Sequence, residues 1–294
     1  MEKRPAKSRG ARRANPARSA RPALLARAAK RERVAPPLLV IDAGNTETVL
    51  GIFRGEWLLG SWRIASDRNR TADECRLLLG SAAREAGLDL REIAGVAIGS
   101  VVPPITAAFR EVAESRLRVP TVVVSGETDS GIAIRVDNPR EVGADRIANA
   151  VAAHRLYGGP AVVVDLGTAT TFDVVTERGA YVGGAIAPGI LTSSEELFRR
   201  AARLTAVDLT FPARVIGRNT AESLRSGILF GAVGQIDGIL DRIRGEWGRR
   251  FRVLATGGLA GLVASRSRRI DRVVPDLTLQ GLRLIFERAE GTCR

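Results

Sequence analysis

The chain lacks most of the side chains that phosphate and metal chemistry commonly uses. Its three lysines, Lys3, Lys7 and Lys30, all lie within the first 30 residues, so the body has none. That excludes a Walker-type phosphate lysine, a Schiff-base lysine and a pyridoxal-phosphate lysine from the body. A single histidine, His154, rules out paired-histidine metal sites. Its place after Val151 on an apolar face points to a structural role. The two cysteines, Cys75 and Cys293, give neither a disulfide framework nor zinc-ligand spacing. A reducing cytoplasm is the expected setting. No run of about 18 apolar residues occurs, so no membrane span is expected, and the basic N-terminus lacks the apolar stretch of a secretory signal. Any catalysis must come from carboxylates, arginines, hydroxyls and backbone amides.

What is present is enough for two domains: 294 residues, 45% of them hydrophobic. The net charge of +13 is segregated. Residues 1–36 hold three Lys and nine Arg against two Glu, which leaves only +3 for the rest. This Ala/Arg/Pro-rich segment has no hydrophobic period and reads as a disordered basic tail. The alternative is a start codon assigned too early, since Met1 is the only methionine. Specific nucleic-acid binding is not expected, because the charge belongs to the tail and not to the body.

Two halves follow, 37–158 and 159–294, and they repeat one another. In the first, Leu38–Ala43, Thr48–Phe53 and Trp57–Ile64 read as strands. Ala72–Ala86 reads as a helix, with Val96–Ser100 and Thr121–Val124 as strands around a helix at Ile105–Leu117. Glu141–Tyr157 closes the half as a helix. The second opens the same way, with strands Ala161–Asp165, Thr170–Val175 and Tyr181–Ala187. A helix at Pro188–Ala202, a long helix at Ala221–Trp247, a strand at Phe251–Ala255 and a terminal helix at Leu277–Ala289 complete it. The pattern predicts a duplicated α/β unit.

The duplication is sharpest at the first turn of each half. Val40-Ile41-Asp42-Ala43-Gly44-Asn45-Thr46 mirrors Val164-Asp165-Leu166-Gly167-Thr168, with the aspartates 123 residues apart. In such a hairpin the glycine lets the backbone approach a ligand closely, successive amides form an anion nest, and the strand-end aspartate can hold a cation directly or through water. One such turn is ordinary. Two in register describe a cleft with a phosphate loop from each half. A third glycine element, Thr256-Gly257-Gly258-Leu259-Ala260, follows strand Val253-Leu254-Ala255. It is either a plain helix entrance or, with Gly257 and Gly258, the seat of an adenosine. Together the three elements match the arrangement of the actin-like, sugar-kinase and heat-shock ATPases, which implies fold and nucleotide but not acceptor.

The acceptor signal is Asp137-Asn138-Pro139-Arg140-Glu141-Val142-Gly143-Ala144-Asp145-Arg146. Its charged pair is either a helix-start salt bridge or a functional pair. In the second case an aspartate takes a hydroxyl proton during phosphoryl transfer, and an arginine holds a substrate carboxylate.

With these residues on the page, the chain from 38 to 290 resembles the type III pantothenate kinases. The matching segments are Ile41–Thr46, Arg70-Thr71-Ala72-Asp73-Glu74, Asp137-Asn138-Pro139, Gly143–Arg146, Asp165-Leu166-Gly167-Thr168-Ala169-Thr170-Thr171, Gly217-Arg218-Asn219-Thr220 and Thr256-Gly257-Gly258. The resemblance implies two actin-like (ribonuclease H-like) α/β domains with an ATP cleft between them. It also implies ATP-dependent phosphorylation of pantothenate, the first step of coenzyme A synthesis. By it Asp42, Ala43, Gly44, Asn45, Thr46, Glu47, Thr48 and Val49 bind ATP phosphates, and Thr168 also contacts ATP. Asp145 is the proton acceptor, and Gly143, Ala144, Asp145, Arg146 and Thr220 line the pantothenate site. Asp165 binds a monovalent cation, potassium or ammonium, beside the Mg²⁺ that accompanies ATP. The family works as a homodimer with its substrate site near the interface. Two other readings stand beside this one: a kinase of another small hydroxy acid, and a regulatory accessory protein. The chain departs from the family at Ser125-Gly126-Glu127-Thr128-Asp129-Ser130-Gly131, where acid replaces a usual base. Weaker attraction of a substrate carboxylate is expected there.

Overall fold

The computed structural model describes residues 35–201 and 204–291. The basic tail up to residue 34, Cys293, and the Ala202 end of the expected fourth helix lie outside the described residues.

The first half is built on strands β1 (Pro37–Ala43), β2 (Glu47–Arg54), β3 (Trp57–Ala65), β4 (Gly95–Ser100) and β5 (Thr121–Val124). They form one sheet in the order β3-β2-β1-β4-β5. β1 pairs antiparallel with β2 and parallel with β4. The second half repeats this with β6 (Ala161–Leu166), β7 (Ala169–Val175), β8 (Tyr181–Pro188), β9 (Arg252–Thr256) and the short β10 (Arg272–Val273). Their order is β10-β9-β6-β7-β8, again with β6 antiparallel to β7 and parallel to β9. The central strands β1 and β6 read as continuous apolar runs because each is buried on both faces. The duplicated two-sheet architecture expected from the hairpins is the one observed.

Helices α1 (Ala72–Glu85) and α2 (Pro103–Glu111) cover one face of the first sheet. A capping box at Thr71 and Glu74 starts α1, which accounts for the Arg70–Glu74 segment as helix architecture. The second sheet is covered by α4 (Ile190–Arg200), α5 (Thr220–Trp247) and α6 (Ala260–Ala264). No helix among the described residues is long and apolar enough to cross a membrane.

Two helices tie the sheets together. α3 (Ala144–Ala152) starts three residues later than its pattern suggested, because Asn138 caps a separate 3₁₀ turn at Pro139–Glu141 and Val142 is extended. The terminal helix α7 (Leu277–Ala289) packs on α3 so closely that a Cβ on Gly281 would lie 2.0 Å from the Ala148 carbonyl oxygen. Ile147, Ala148 and Val151 of α3 join Leu279, Leu282 and Ile285 of α7 on the first sheet. Ala152 and Leu277, at the other ends of the same helices, join Val163 and Leu254 of the second. The terminal helix therefore lies against the first sheet although it follows the second in sequence.

Candidate active site between the two sheets

Asp42 and Asp165 occupy equivalent places, near the carboxyl ends of β1 and β6. Asp42 is registered with Val49 and with Gly99 of β4, and Asp165 with Thr171 and with Thr256 of β9. Ligands of open α/β sheets bind at such carboxyl ends. The hairpin that follows Asp42 is closed by Gly44 N–H donating to the Glu47 carbonyl at 2.9 Å. Ser66 braces it, its hydroxyl donating to the Gly44 carbonyl at 2.6 Å. The hairpin that follows Asp165 is closed by Gly167 N–H donating to the Ala169 carbonyl at 3.1 Å. The two turns face each other, with the hydroxyls of Thr46 and Thr168 2.9 Å apart. The glycine element after β9 completes the cleft. Gly257 has φ +91°, and a Cβ there would lie 2.6 Å from the Leu166 carbonyl and 2.7 Å from Asp165 Oδ1. Only glycine fits both the conformation and the space.

Asp145 enters from α3, whose N-cap is Gly143. Its Oδ1 accepts the Arg146 N–H at 2.8 Å. Three carboxylates from both halves thus converge. Burial, then Asp145, then Asp165 raise the Asp42 carboxyl well above its usual range, and Arg63 opposes them. Asp165 is pushed up to about 6, chiefly by burial; the Asn149 side chain, donating to Oδ2 at 2.9 Å, opposes the rise. Such a site is short of positive charge and suits cations. Among the described residues no three metal-ligating side chains are gathered. A divalent cation at Asp42 would complete its shell with phosphate oxygens and water, as Mg²⁺ commonly does.

Arg146 is more committed than its sequence suggested. Its Nε donates to Asp173 Oδ1 at 2.6 Å, and its guanidinium stands 5.7 Å from the centroid of the Tyr181 ring. Asp173 is fully buried and also accepts from Thr171 Oγ1 at 3.1 Å and Tyr181 OH at 3.2 Å. Burial pushes its carboxyl up to about 7 against the pull of Arg146. Arg146 therefore has only its terminal nitrogens left for a substrate. Asp173 went unread, although an acid within the apolar strand Thr170–Val175 is itself a signal, since buried carboxylates need partners. Asn149 was also missed; its carboxamide links Asp165 to Thr278, whose hydroxyl donates to it at 2.8 Å.

Thr220 opens α5 behind the Asn219 cap, on an exposed stretch beside Val215 and Ile216. A cavity of about 360 Å³ lies nearby between α4 and α5, lined by Ile190, Ser193, Leu197, Ser223 and Gly227. None of the three carboxylates lines it. The acidic loop does not present free charge. Glu127 pairs with Arg140 at 2.7 Å and Asp129 with Arg288 at 2.9 Å.

Residues 38–242 match the family model described as type III pantothenate kinase. A type III pantothenate kinase of Moorella thermoacetica is 53% identical over 251 residues, 85% of this chain and 99% of that protein. One of Dehalococcoides mccartyi is 48% identical over 250 residues, 85% of this chain and 97% of that protein. Among solved structures, a conserved Baf family protein from Campylobacter jejuni superposes with a TM-score of 0.54 at 17% identity. It covers 86% of this chain and 99% of that one, a likeness of fold.

Proposed function

We propose, from the premise that the chain belongs to the type III pantothenate kinase family, a division of labour among the residues of its cleft. The reaction itself follows from the family: ATP donates a phosphoryl group to pantothenate, opening coenzyme A synthesis. The observation that carries the assignment is the convergence of Asp42, Asp145 and Asp165 on one cleft, roofed by the Thr46–Thr168 contact.

Asp42, Ala43, Gly44, Asn45, Thr46, Glu47, Thr48 and Val49 cradle the phosphates, with Thr168 opposite and Gly257-Gly258 beneath the adenosine. Asp42 would hold Mg²⁺, which supplies neutralisation of phosphate charge. Asp165 would hold a monovalent cation; its carboxylate accepts from neutral Asn149, and the charge of Arg63 only partly offsets its burial. Asp145, at the open end of α3, accepts the proton of the primary hydroxyl as the phosphoryl group transfers. Gly143 and Ala144 shape the approach, and the terminal nitrogens of Arg146 hold the pantothenate carboxylate. Asp42 and Asp165 make poor bases because cations and phosphates claim them.

Thr220 lies with exposed apolar residues that a second copy would cover: Leu191 is 48% exposed, Val215 64% and Ile216 84%. A homodimer that brings Thr220 to a neighbouring substrate site accounts for both features. Light scattering that returns a monomer at working concentration would remove this part. The acceptor is tested by an ATP-coupled assay with pantothenate, without acceptor, and with a panel of small hydroxy acids. ADP release that needs pantothenate is expected. Release with another hydroxy acid but not with pantothenate would overturn the assignment.

A further inference from the structure

A lysine-free body must still neutralise a polyphosphate, and the cleft contains a cation that no motif marks. Arg63 lies on β3, registered with Val49 on the strand that continues the first hairpin. Its Nη1 is 3.2 Å from Glu47 Oε2, on that hairpin. The same nitrogen lies 3.4 Å from the point where a Cβ on Gly258 would stand. The guanidinium thus spans the mouth of the cleft, from the phosphate hairpin of the first half to the glycine element of the second. Its charge reaches the carboxylates at the back: it opposes the upward shifts of Asp42, Asp165 and Asp276.

We propose that Arg63 is a catalytic residue of the phosphoryl transfer, whose guanidinium leaves Glu47 to bind the β- and γ-phosphates of ATP. The inference rests on the reading that ATP occupies this cleft. The Arg63–Glu47 pair is suited to such an exchange. Both side chains are about half exposed, at 49% and 56%, and an exposed pair of this kind is held by less than about 1 kcal/mol. A polyphosphate offers more: several negative oxygens in the planar, two-point geometry that guanidinium matches. The pair also keeps Arg63 extended over the cleft before nucleotide arrives. Arg68, the other arginine near this hairpin, bonds the Asn45 side chain at 3.3 Å and does not figure among the charges acting on Asp42 or Asp165. Charge on the transferring group is spread over its outer oxygens and grows toward the leaving oxygen. A cation at the mouth, facing the carboxylates at the back, would stabilise that charge where amides alone cannot.

The test separates phosphate recognition from general nucleotide binding. Arg63→Gln and Arg63→Lys are titrated with AMP and with the non-hydrolysable analogue AMP-PNP, with Mg²⁺ and without acceptor, by ligand-observed NMR. Steady-state kinetics with pantothenate run alongside. Arg63→Gln should weaken AMP-PNP about 10- to 100-fold, as loss of a charged hydrogen-bonding group does, and leave AMP within about two-fold. Its kcat should fall about 10²–10³-fold, the usual cost of removing a donor aimed at developing charge. Arg63→Lys, which keeps the charge but not the fork, should recover part of both. Arg63 is exposed on an edge strand, so an unchanged Tm is expected; if the Gln variant melts early, the Lys variant decides. Equal weakening of AMP and AMP-PNP, or a kcat within ten-fold of wild type, overturns the proposal. If the wild type binds AMP-PNP but ignores pantothenate, the acceptor assignment falls while the binding comparison still judges Arg63.

Discussion

One methyl group tests the placement of Asp145 without touching its chemistry. Gly143 has φ −59° and ψ 145°, a conformation open to any residue. A Cβ added there would lie 2.4 Å from Asp145 Oδ1, while Asp145 Cγ at 3.6 Å and Val101 Cγ1 at 3.7 Å are ordinary contacts. The carboxylate is therefore the one group that must yield. It must retreat by roughly 1 Å to restore normal contact, giving up its bond to the Arg146 N–H. A shift of that size in a reacting group can cost about 10²-fold in rate. Stability should change little: alanine is a poorer N-cap than glycine by under about 1 kcal/mol, and a less flexible unfolded chain offsets part of that. Gly143→Ala should thus lose about 10²-fold in kcat with the KM for ATP and the Tm nearly unchanged. Steady-state kinetics and thermal melts give both numbers. More than about a tenth of wild-type kcat would mean that the Asp145 carboxylate has no fixed position to lose.

Three further outcomes are expected. Asp145→Asn should lose roughly 10²–10⁴-fold in kcat with nucleotide affinity intact by calorimetry; a variant above about a tenth of wild type would move the base elsewhere. Arg146→Ala should raise the KM for pantothenate and, unlike Asp145→Asn, lower stability by about 1–3 kcal/mol, because it takes a hydrogen-bond donor from the buried Asp173; an unchanged Tm would show that the pair carries no such weight. Rates in sodium, potassium and ammonium buffers of equal ionic strength should differ, and equal rates would dismiss the cation assigned to Asp165. A fourth outcome concerns pH. The Asp173 carboxyl rises from 3.8 to about 7 in the fold, so the stability it contributes is present below pH about 4 and is lost as pH rises through 7. Between pH 5 and 8 the wild type should lose on the order of 3 kcal/mol more than Asp173→Asn in denaturant titrations. Parallel pH slopes would contradict the shift.

The hairpins were legible because glycine straight after a short apolar strand marks a turn, and the letters record that directly. The duplication was legible for the same reason, since Asp42 and Asp165 head the same strand-turn-strand string. Periodicity carried less. It showed that Leu279, Leu282 and Ile285 share a face, but a face does not name its partner, and nothing local placed α7 on the first sheet. The start of α3 was misread because Pro139 and Glu141 suit a first helical turn; Asn138 captures them in a separate one. Arg63 escaped notice because an exposed arginine on an alternating edge strand looks like any solvated charge. Only the approach of Gly258 from 195 residues away gives it a meaning.

The acceptor residues proposed on α3 sit on a helix held from both sides. Its first turn presents Asp145 and Arg146. Arg146 is fixed to β7 through Asp173, Asn149 is fixed to β6 through Asp165, and Thr278 of α7 is fixed to Asn149. Every one of these side chains is buried or nearly so, and an unmade polar bond in such surroundings costs about 1–3 kcal/mol. The helix therefore cannot drift relative to the second sheet without breaking a network, nor relative to the first without opening its apolar contact with α7. Transfer needs the accepting hydroxyl in line with the bond to be broken, within a fraction of an ångström. The hairpins proposed to hold the nucleotide come one from each half, so a base carried by either sheet alone would follow only half of the donor. A base on a helix pinned to both would follow the whole of it, which favours the proposed assignment of the proton to Asp145 over either strand-end aspartate.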